Sequence, residues 1–236
     1  VDSSSLTYSV SGSELLMTND GVLTFVSAPD YETKSSFTAT VTVTDGGLSA
    51  SQPITITINN LNDNSPVITS EATLSADENQ TAIATLTATD ADGDSPTFSV
   101  SGSELTVTSG GVLTFASEPD YETKTSYTAT VSANDGVNST TQSITVNINN
   151  LNDNSPVFST GATFSVDENQ TAIGTAAATD ADGDSVTFSI SGSDLAITSS
   201  GVITFNSAPD YETTTSYSAT ITANDGANST TQDITV

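Results

Sequence analysis

Residues 61–94 read LNDNSPVITSEATLSADENQTAIATLTATDADGD, and residues 151–184 read LNDNSPVFSTGATFSVDENQTAIGTAAATDADGD. The two stretches lie 90 residues apart with no insertion or deletion. The same offset superimposes Asp30-Tyr31-Glu32, Asp120-Tyr121-Glu122 and Asp210-Tyr211-Glu212, and likewise Asp45-Gly46, Asp135-Gly136 and Asp225-Gly226. A fixed period of this length marks a tandem array of small units. Counted from Asp63 and Asp153, the repeats run 1–62, 63–152 and 153–236. The first lacks 28 positions, because Asp2 aligns with Asp92, and the third lacks its last 6, because Val236 aligns with Val146. A chain out of phase with its own repeat is expected to be a segment of a longer array, or to take its missing first strands from another chain.

Each repeat reads as all-β. In the second, strands are expected near Ala72–Ala76, Thr81–Ala88, Thr97–Ser101, Leu105–Thr108, Val112–Phe115, Ser126–Ala133 and Ser139–Ile148. These runs are rich in Val, Ile, Thr, Phe and Tyr and are separated by Gly, Asn, Asp and Pro clusters. Tyr127-Thr128-Ala129-Thr130-Val131 alternates apolar and Thr residues, as a strand does when one sheet face packs and the other meets water. No window has a helical period. Seven short strands per unit predict Greek-key β-sandwiches of the Ig type, joined end to end.

Composition narrows the function. The chain has 236 residues, 29 Asp and Glu, two Lys (Lys34 and Lys124), and no Arg, His, Cys or Trp, for a net charge of -27. Nucleic acid is excluded as a partner, since almost nothing neutralises phosphates, and so is an anionic membrane surface. Disulfides, zinc sites built from His or Cys, and Ser-His-Asp or Cys-His catalysis are ruled out by the missing residue types. No apolar stretch approaches the length of a membrane-spanning helix.

The acids gather in loops and at repeat junctions: Asp63, Asp77-Glu78, Asp90-Ala91-Asp92-Gly93-Asp94, Asp120-Tyr121-Glu122 and Asp135, with counterparts elsewhere. Grouped carboxylates repel unless a cation sits among them, and the chain has almost no cations of its own. Oxygen donors without nitrogen or sulfur point to Ca²⁺, which takes 6–8 oxygens from carboxylates, amide and backbone carbonyls and water. Mg²⁺ fits less well, because it prefers octahedral geometry and keeps its waters.

These residues resemble the cadherin repeat family. Asn60-Leu61-Asn62-Asp63-Asn64-Ser65-Pro66-Val67, and its copy from Asn150 to Phe158, look like the DxNDNxPxF linker. Asp77-Glu78-Asn79 resembles the xEN motif, Asp90-Ala91-Asp92 the DxD motif, Pro119-Asp120-Tyr121-Glu122 the LDRE or LDYE motif, and Ala133-Asn134-Asp135-Gly136 the AxDxG motif. Five motifs in family order, recurring at a fixed period, cover essentially the whole chain.

The resemblance implies calcium between consecutive repeats. At the first junction it assigns the ligands to Asp30, Glu32, Asn60, Asn62, Asp63, Asp90, Asp92 and Asp135, with backbone carbonyls from Leu61 and Asn64. At the second it assigns them to Glu78, Asp120, Glu122, Asn150, Asn152, Asp153, Asp180, Asp182 and Asp225, with backbone carbonyls from Leu151 and Asn154. Three departures stand out. Asn60 and Asn150 replace the usual first Asp of the linker, which should weaken or remove one ion per junction. The repeat is shorter than an animal cadherin repeat, and no Trp is present to anchor strand-swap adhesion. The near-identical repeats, the DADGD loops and the shortage of Lys and Arg resemble cadherin-like arrays of bacterial surface and secreted proteins.

Other features take plainer readings. Tyr31, Tyr121 and Tyr211 read as packing residues rather than a sugar platform. Thr38, Thr40, Thr42 and Thr44 read as the wet side of a strand rather than an ice-binding face. Asn79, Asn138, Asn169 and Asn228 begin N-x-T triplets that read as chance sequons. The expected function is that of a calcium-stiffened extracellular spacer or filament segment of an adhesin or fibre. It would contact neighbouring repeats or like chains and would not insert into a membrane. The alternative is a calcium-dependent module for a polysaccharide or a partner cadherin-like domain. An enzyme ranks third, since no repeat has an acid pair that the others lack.

Overall fold

A computed structural model describes residues 5–236. Asp2, the aligned counterpart of Asp92, lies outside the described residues. The described chain is all-β and contains no helix. It divides into two compact units, Val1–Ala72 with Ala84–Leu113 and Ala129–Ile144, and Thr73–Ile83 with Thr114–Thr128 and Thr145–Val236. Each unit contains one of the two acidic linkers, residues 60–64 or 150–154.

In the first unit Thr7–Val10, Ser36–Thr44 and Ser49–Thr57 form an antiparallel sheet, with the long Ser36–Thr44 strand in the middle. Strand periodicity of two puts Phe37, Ala39, Val41 and Val43 on one face and Thr38, Thr40, Thr42 and Thr44 on the other. Leu15–Met17 pairs with Leu23–Phe25, and Phe25 meets Phe37 edge-on at 5.0 Å between ring centroids. Part of the second repeat joins this unit: Val67–Ile68 pairs with Ala88–Thr89, and Thr97–Val100 with the Val131–Asn134 end of its neighbour.

In the second unit Thr73–Asp77 lies parallel to Thr145–Asn149. The third repeat lies wholly within this unit, with Val157–Phe158 pairing with Ala178–Thr179 beside two three-stranded sheets. One sheet is Thr187–Ile190, Ser218–Asn224 and Ser229–Thr235; the other is Ala172–Thr175, Val202–Phe205 and Leu195–Ile197. Ile221 and Ile234 from the first sheet, Leu195, Ile203 and Phe205 from the second, and Ala176 make one buried cluster. The small core follows from an apolar content of only 34%.

The expected strands of the second repeat are found, with two differences, the first being the additional short strand Val67–Ile68. The run expected over Thr81–Ala88 is two strands, Ala82–Thr85 and Ala88–Thr89. Leu86 donates its N–H to the Gly111 carbonyl (2.7 Å) and Thr87 donates to the Ser70 hydroxyl (2.7 Å), so ladder pairing is interrupted there. Gly111 has φ +91°, and a Cβ on it would lie 2.4 Å from the Leu86 carbonyl oxygen. Gly201 repeats this with φ +92° and 2.3 Å from the Ala176 oxygen. Gly111 and Gly201 are thus required by both backbone angle and close approach, whereas Gly21, at φ +86°, is required by backbone angle alone.

Candidate metal centres at the two linkers

Each linker is surrounded by short turns whose polar side chains are fixed locally. Asp30 accepts from the N–H groups of Glu32 (3.0 Å) and Thr33 (3.2 Å) and from the Thr33 hydroxyl (2.9 Å). Asp120 accepts likewise from the Thr123 N–H (3.1 Å) and hydroxyl (3.0 Å). These turns display Glu32 and Glu122. Carboxylate oxygens of Glu32, Asp63 and Asp92 lie within 4.8 Å of one another, as do those of Glu78, Glu122 and Asp153. Within the DADGD loops, Asp90, Asp92 and Asp94 group in the same way, and so do Asp180, Asp182 and Asp184.

The DxD aspartates hold the linkers in place. Asp92 Oδ2 accepts the Asn64 N–H and Oδ1 its side-chain amide, each at 2.9 Å. Asp182 Oδ2 accepts the N–H groups of Asp153 (3.0 Å) and Asn154 (2.8 Å), and Oδ1 accepts the Asn154 amide (2.7 Å). The carbonyls of Leu61 and Leu151 each accept the N–H of the linker Asp two residues on, at 3.0 and 3.1 Å. Asn60 and Asn150 donate their amides to the backbone carbonyls of Asp92 (2.7 Å) and Asp182 (2.8 Å). A carboxylate at these positions has no proton to donate, which gives the unusual linker Asn a structural task of its own.

Glu78 is the most enclosed acid among the described residues, 2% exposed. Its Oε2 accepts the Tyr121 N–H and its Oε1 the Leu151 N–H, both at 2.7 Å, tying strand end, turn and linker together. Beside it a cavity of about 180 Å³ is lined by Glu78, Asn79, Asp120, Glu122, Asp153, Asn154 and Ala181. Asp225, 8% exposed, receives the N–H groups of Ala227 (2.7 Å) and Asn228 (2.6 Å) on Oδ1. Asp135 receives those of Val137 and Asn138, both at 2.7 Å.

The electrostatics follow from this packing. Partial desolvation at the linker raises Glu122 above the ordinary glutamate range although its side chain is largely exposed, and the charges of Glu78, Asp182 and Asp120 push it the same way. Burial raises Glu32 too, with Asp92 adding to the effect. Asp30 is held low chiefly by the Thr33 hydroxyl, and Asp92 chiefly by the Asn64 amide. In Asp135, Asp182 and Asp225 burial works upward but is outweighed by hydrogen bonds. These come from the Asn138 and Val137 N–H groups, from Asn154, and from the Asn228 and Ala227 N–H groups respectively, so all three lie below the ordinary aspartate range.

One observation tests whether a cation fits. Oδ2 of Asp90, Asp135, Asp180 and Asp225 is buried and has no hydrogen-bond partner. Buried carboxylate oxygens without partners are costly, and here the same two positions recur at both linkers. The available donors are oxygens only, which suits a hard divalent ion. The two lysines sit over aromatic rings, Lys34 at 4.5 Å from Phe37 and Lys124 at 4.3 Å from Tyr127. Lys34 also pairs with Glu14 at 2.6 Å.

Several residues at the linkers escaped the sequence reading. Asn138 and Asn228, read there as heads of chance sequons, turn half-buried amides onto the linkers. Asn79, at φ +62°, donates its amide to Asp153. Asp94 and Asp184 complete the DADGD groups. The recurrence of each at the 90-residue offset was the available signal, but most residues of the repeat recur as well, so it does not single them out.

The fold and these linkers define tandem β-sandwich repeats. The Bacterial Ig domain family matches residues 62–149. The chain is 32% identical over 240 residues to the protocadherin-like wing polarity protein stan of Drosophila melanogaster, covering 87% of this chain and 7% of that protein. It is 32% identical over 181 residues to human protocadherin Fat 1, covering 66% of this chain and 4% of that one. The chain thus spans less than a tenth of these curated relatives. Among solved structures, mouse cadherin-23 EC22-24 superimposes with a TM-score of 0.73 at 23% identity, covering 98% of this chain and 85% of that one. Protocadherin gamma B2 extracellular cadherin domains 3-6 gives 0.78 at 20% identity, covering 98% and 68%. The chain belongs to the cadherin-like repeat family.

Proposed function

We propose that the chain is an extracellular spacer or filament segment whose repeat junctions are stiffened by calcium. The observation that carries this reading is the recurrence of four buried, partnerless carboxylate oxygens, on Asp90, Asp135, Asp180 and Asp225, at two linkers crowded with further acids. At the first linker Glu32, Asn62, Asp63, Asp90, Asp92 and Asp135 would hold the ions, with Asp30 and Asn60 shaping the turn and linker and the Leu61 and Asn64 carbonyls at hand. At the second, Glu78, Glu122, Asn152, Asp153, Asp180, Asp182 and Asp225 would do so, with Asp120, Asn150 and the Leu151 and Asn154 carbonyls in the same positions. Bound calcium supplies positive charge to carboxylates that otherwise repel one another. Since these ligands come from the preceding repeat, the linker and the following repeat, neutralising them together fixes the junction and adds stability by linkage.

Extracellular modules of this kind bind calcium at about 10⁻⁴–10⁻³ M, a level met outside cells. That range, the absence of cysteine and the cadherin relatives support an extracellular setting and a non-enzymatic, adhesion-related role. No helix among the described residues is long and apolar enough to cross a membrane. Like chains or neighbouring repeats are the proposed contacts. Small-angle scattering of the chain in calcium and in EDTA tests the spacer reading. A longer, stiffer particle in calcium is expected; superimposable curves would refute stiffening.

A further inference from the structure

The Asp–Gly hairpin turns of the three repeats are built alike, and among the positions at which they differ the first has Leu48 where the others have Asn138 and Asn228. Asp45 Oδ1 accepts the Leu48 N–H at 2.7 Å, Asp135 Oδ1 the Asn138 N–H at 2.7 Å, and Asp225 Oδ1 the Asn228 N–H at 2.6 Å. In all three the Asp N–H donates back to the carbonyl of the same residue at 3.2 Å. The turn therefore closes equally well with leucine, which is 78% exposed at position 48. Asparagine is not needed to make the turn.

What the asparagine does is reach the linker. Asn138 donates its amide to Asn62 Oδ1 (3.1 Å) and to the Asn64 carbonyl (2.9 Å). Asn228 donates to Asn152 Oδ1 (3.0 Å), the Asn152 carbonyl (3.3 Å) and the Asn154 carbonyl (3.2 Å). The linker asparagine is engaged at its other end as well. Asn62 donates its own amide to the Asp135 carbonyl (3.5 Å), and Asn152 to the Asp225 carbonyl (3.4 Å). Both ends of the linker amide are thus held by one turn, which fixes which end is oxygen and where it points.

We infer that Asn138 and Asn228 are positioning residues that latch each linker to the Asp–Gly turn of the following repeat and set the orientation of Asn62 and Asn152. The latch itself needs no metal. Its effect on calcium affinity rests on the proposed calcium function, since Asn62 and Asn152 are among the ligands proposed there. Partners that orient a ligand from behind typically change metal affinity by about 10–100-fold when removed.

The test uses the full chain with Asn228→Leu, which copies the turn of the first repeat, and Asn228→Asp, which keeps the shape but cannot donate. Amide hydrogen exchange in EDTA reads the latch. Both variants should speed exchange of the amides at residues 151–154 and leave those at 61–64 unchanged. Asn138→Leu should do the reverse. Calcium titration should show affinity at the second linker reduced about tenfold or more by Asn228→Leu. Unchanged linker exchange in both Asn228 variants would overturn the latch. Faster exchange with unaltered calcium affinity would overturn its role in orienting the ligand. If the unaltered chain takes up no calcium, the calcium reading fails on its own, and exchange in EDTA still decides whether the latch exists.

Discussion

Replacing Glu122 by Gln should change the sign of its effect with calcium. In the metal-free chain Glu122 faces Glu78 and Asp153, with carboxylate oxygens within 4.8 Å. Two unit charges at that separation repel by about 0.9 kcal/mol in a water-like dielectric and about 3.5 kcal/mol at an effective value of 20. Glu122 is exposed, so the lower figure applies, further reduced by salt. Removing the charge relieves two such pairs. The two pairs together amount to about 1.8 kcal/mol, which screening at physiological ionic strength should cut to about 1 kcal/mol of stabilisation of the metal-free chain. Glutamine still offers an oxygen to the Asn154 amide that now donates to Glu122 at 3.2 Å, so little is lost. In calcium the same change removes a charged ligand, and affinity at the second linker should fall by about tenfold, or 1.4 kcal/mol. Differential scanning calorimetry of both proteins in EDTA and in millimolar calcium measures both effects. A variant that is less stable than the parent in EDTA, or equally responsive to calcium, would refute the reasoning.

Stability of the metal-free chain should also depend on pH in both directions. Glu32 and Glu122 are raised, so the folded state holds their protons longer, and stability falls as pH climbs through their folded values. Asp30, Asp92, Asp135, Asp182 and Asp225 are lowered, so their contribution is lost as pH falls through theirs. Thermal melts in EDTA should peak at mildly acid pH, and the alkaline-side decline should shrink in Glu32→Gln/Glu122→Gln. Asn150→Asp removes the donor to the Asp182 carbonyl at 2.8 Å and adds a negative charge. It should lower the melting temperature in EDTA and raise the number of calcium ions bound at the second linker, read by titration. Gly201→Ala places a Cβ 2.3 Å from the Ala176 oxygen at φ +92° and should cost more than about 2 kcal/mol in denaturant unfolding of the third repeat.

The sequence made the fold legible because the strand pattern is repeated without gaps, so each turn signal could be checked against its copy. The break at Leu86–Thr87 was not legible, since it depends on Gly111 and Ser70 drawing those N–H groups out of the ladder. At the linkers the carboxylates of Glu32, Asp63 and Asp92, and of Glu78, Glu122 and Asp153, lie within 4.8 Å of one another. Asp30 and Asp120 instead bond chiefly within their own turns. Asn60 and Asn150 read as missing charges, whereas the folded chain uses them as donors. Asn138 and Asn228 carry no charge and lie 76 residues in sequence from Asn62 and Asn152, so only the folded chain joins them.

Calorimetric titration of the calcium-stripped chain with calcium tests the central claim most directly. Saturable uptake with a dissociation constant of about 10⁻⁴–10⁻³ M is expected. It should be weakened at the first linker by Asp135→Asn and at the second by Asp225→Asn. No uptake by the unaltered chain would contradict calcium at the linkers.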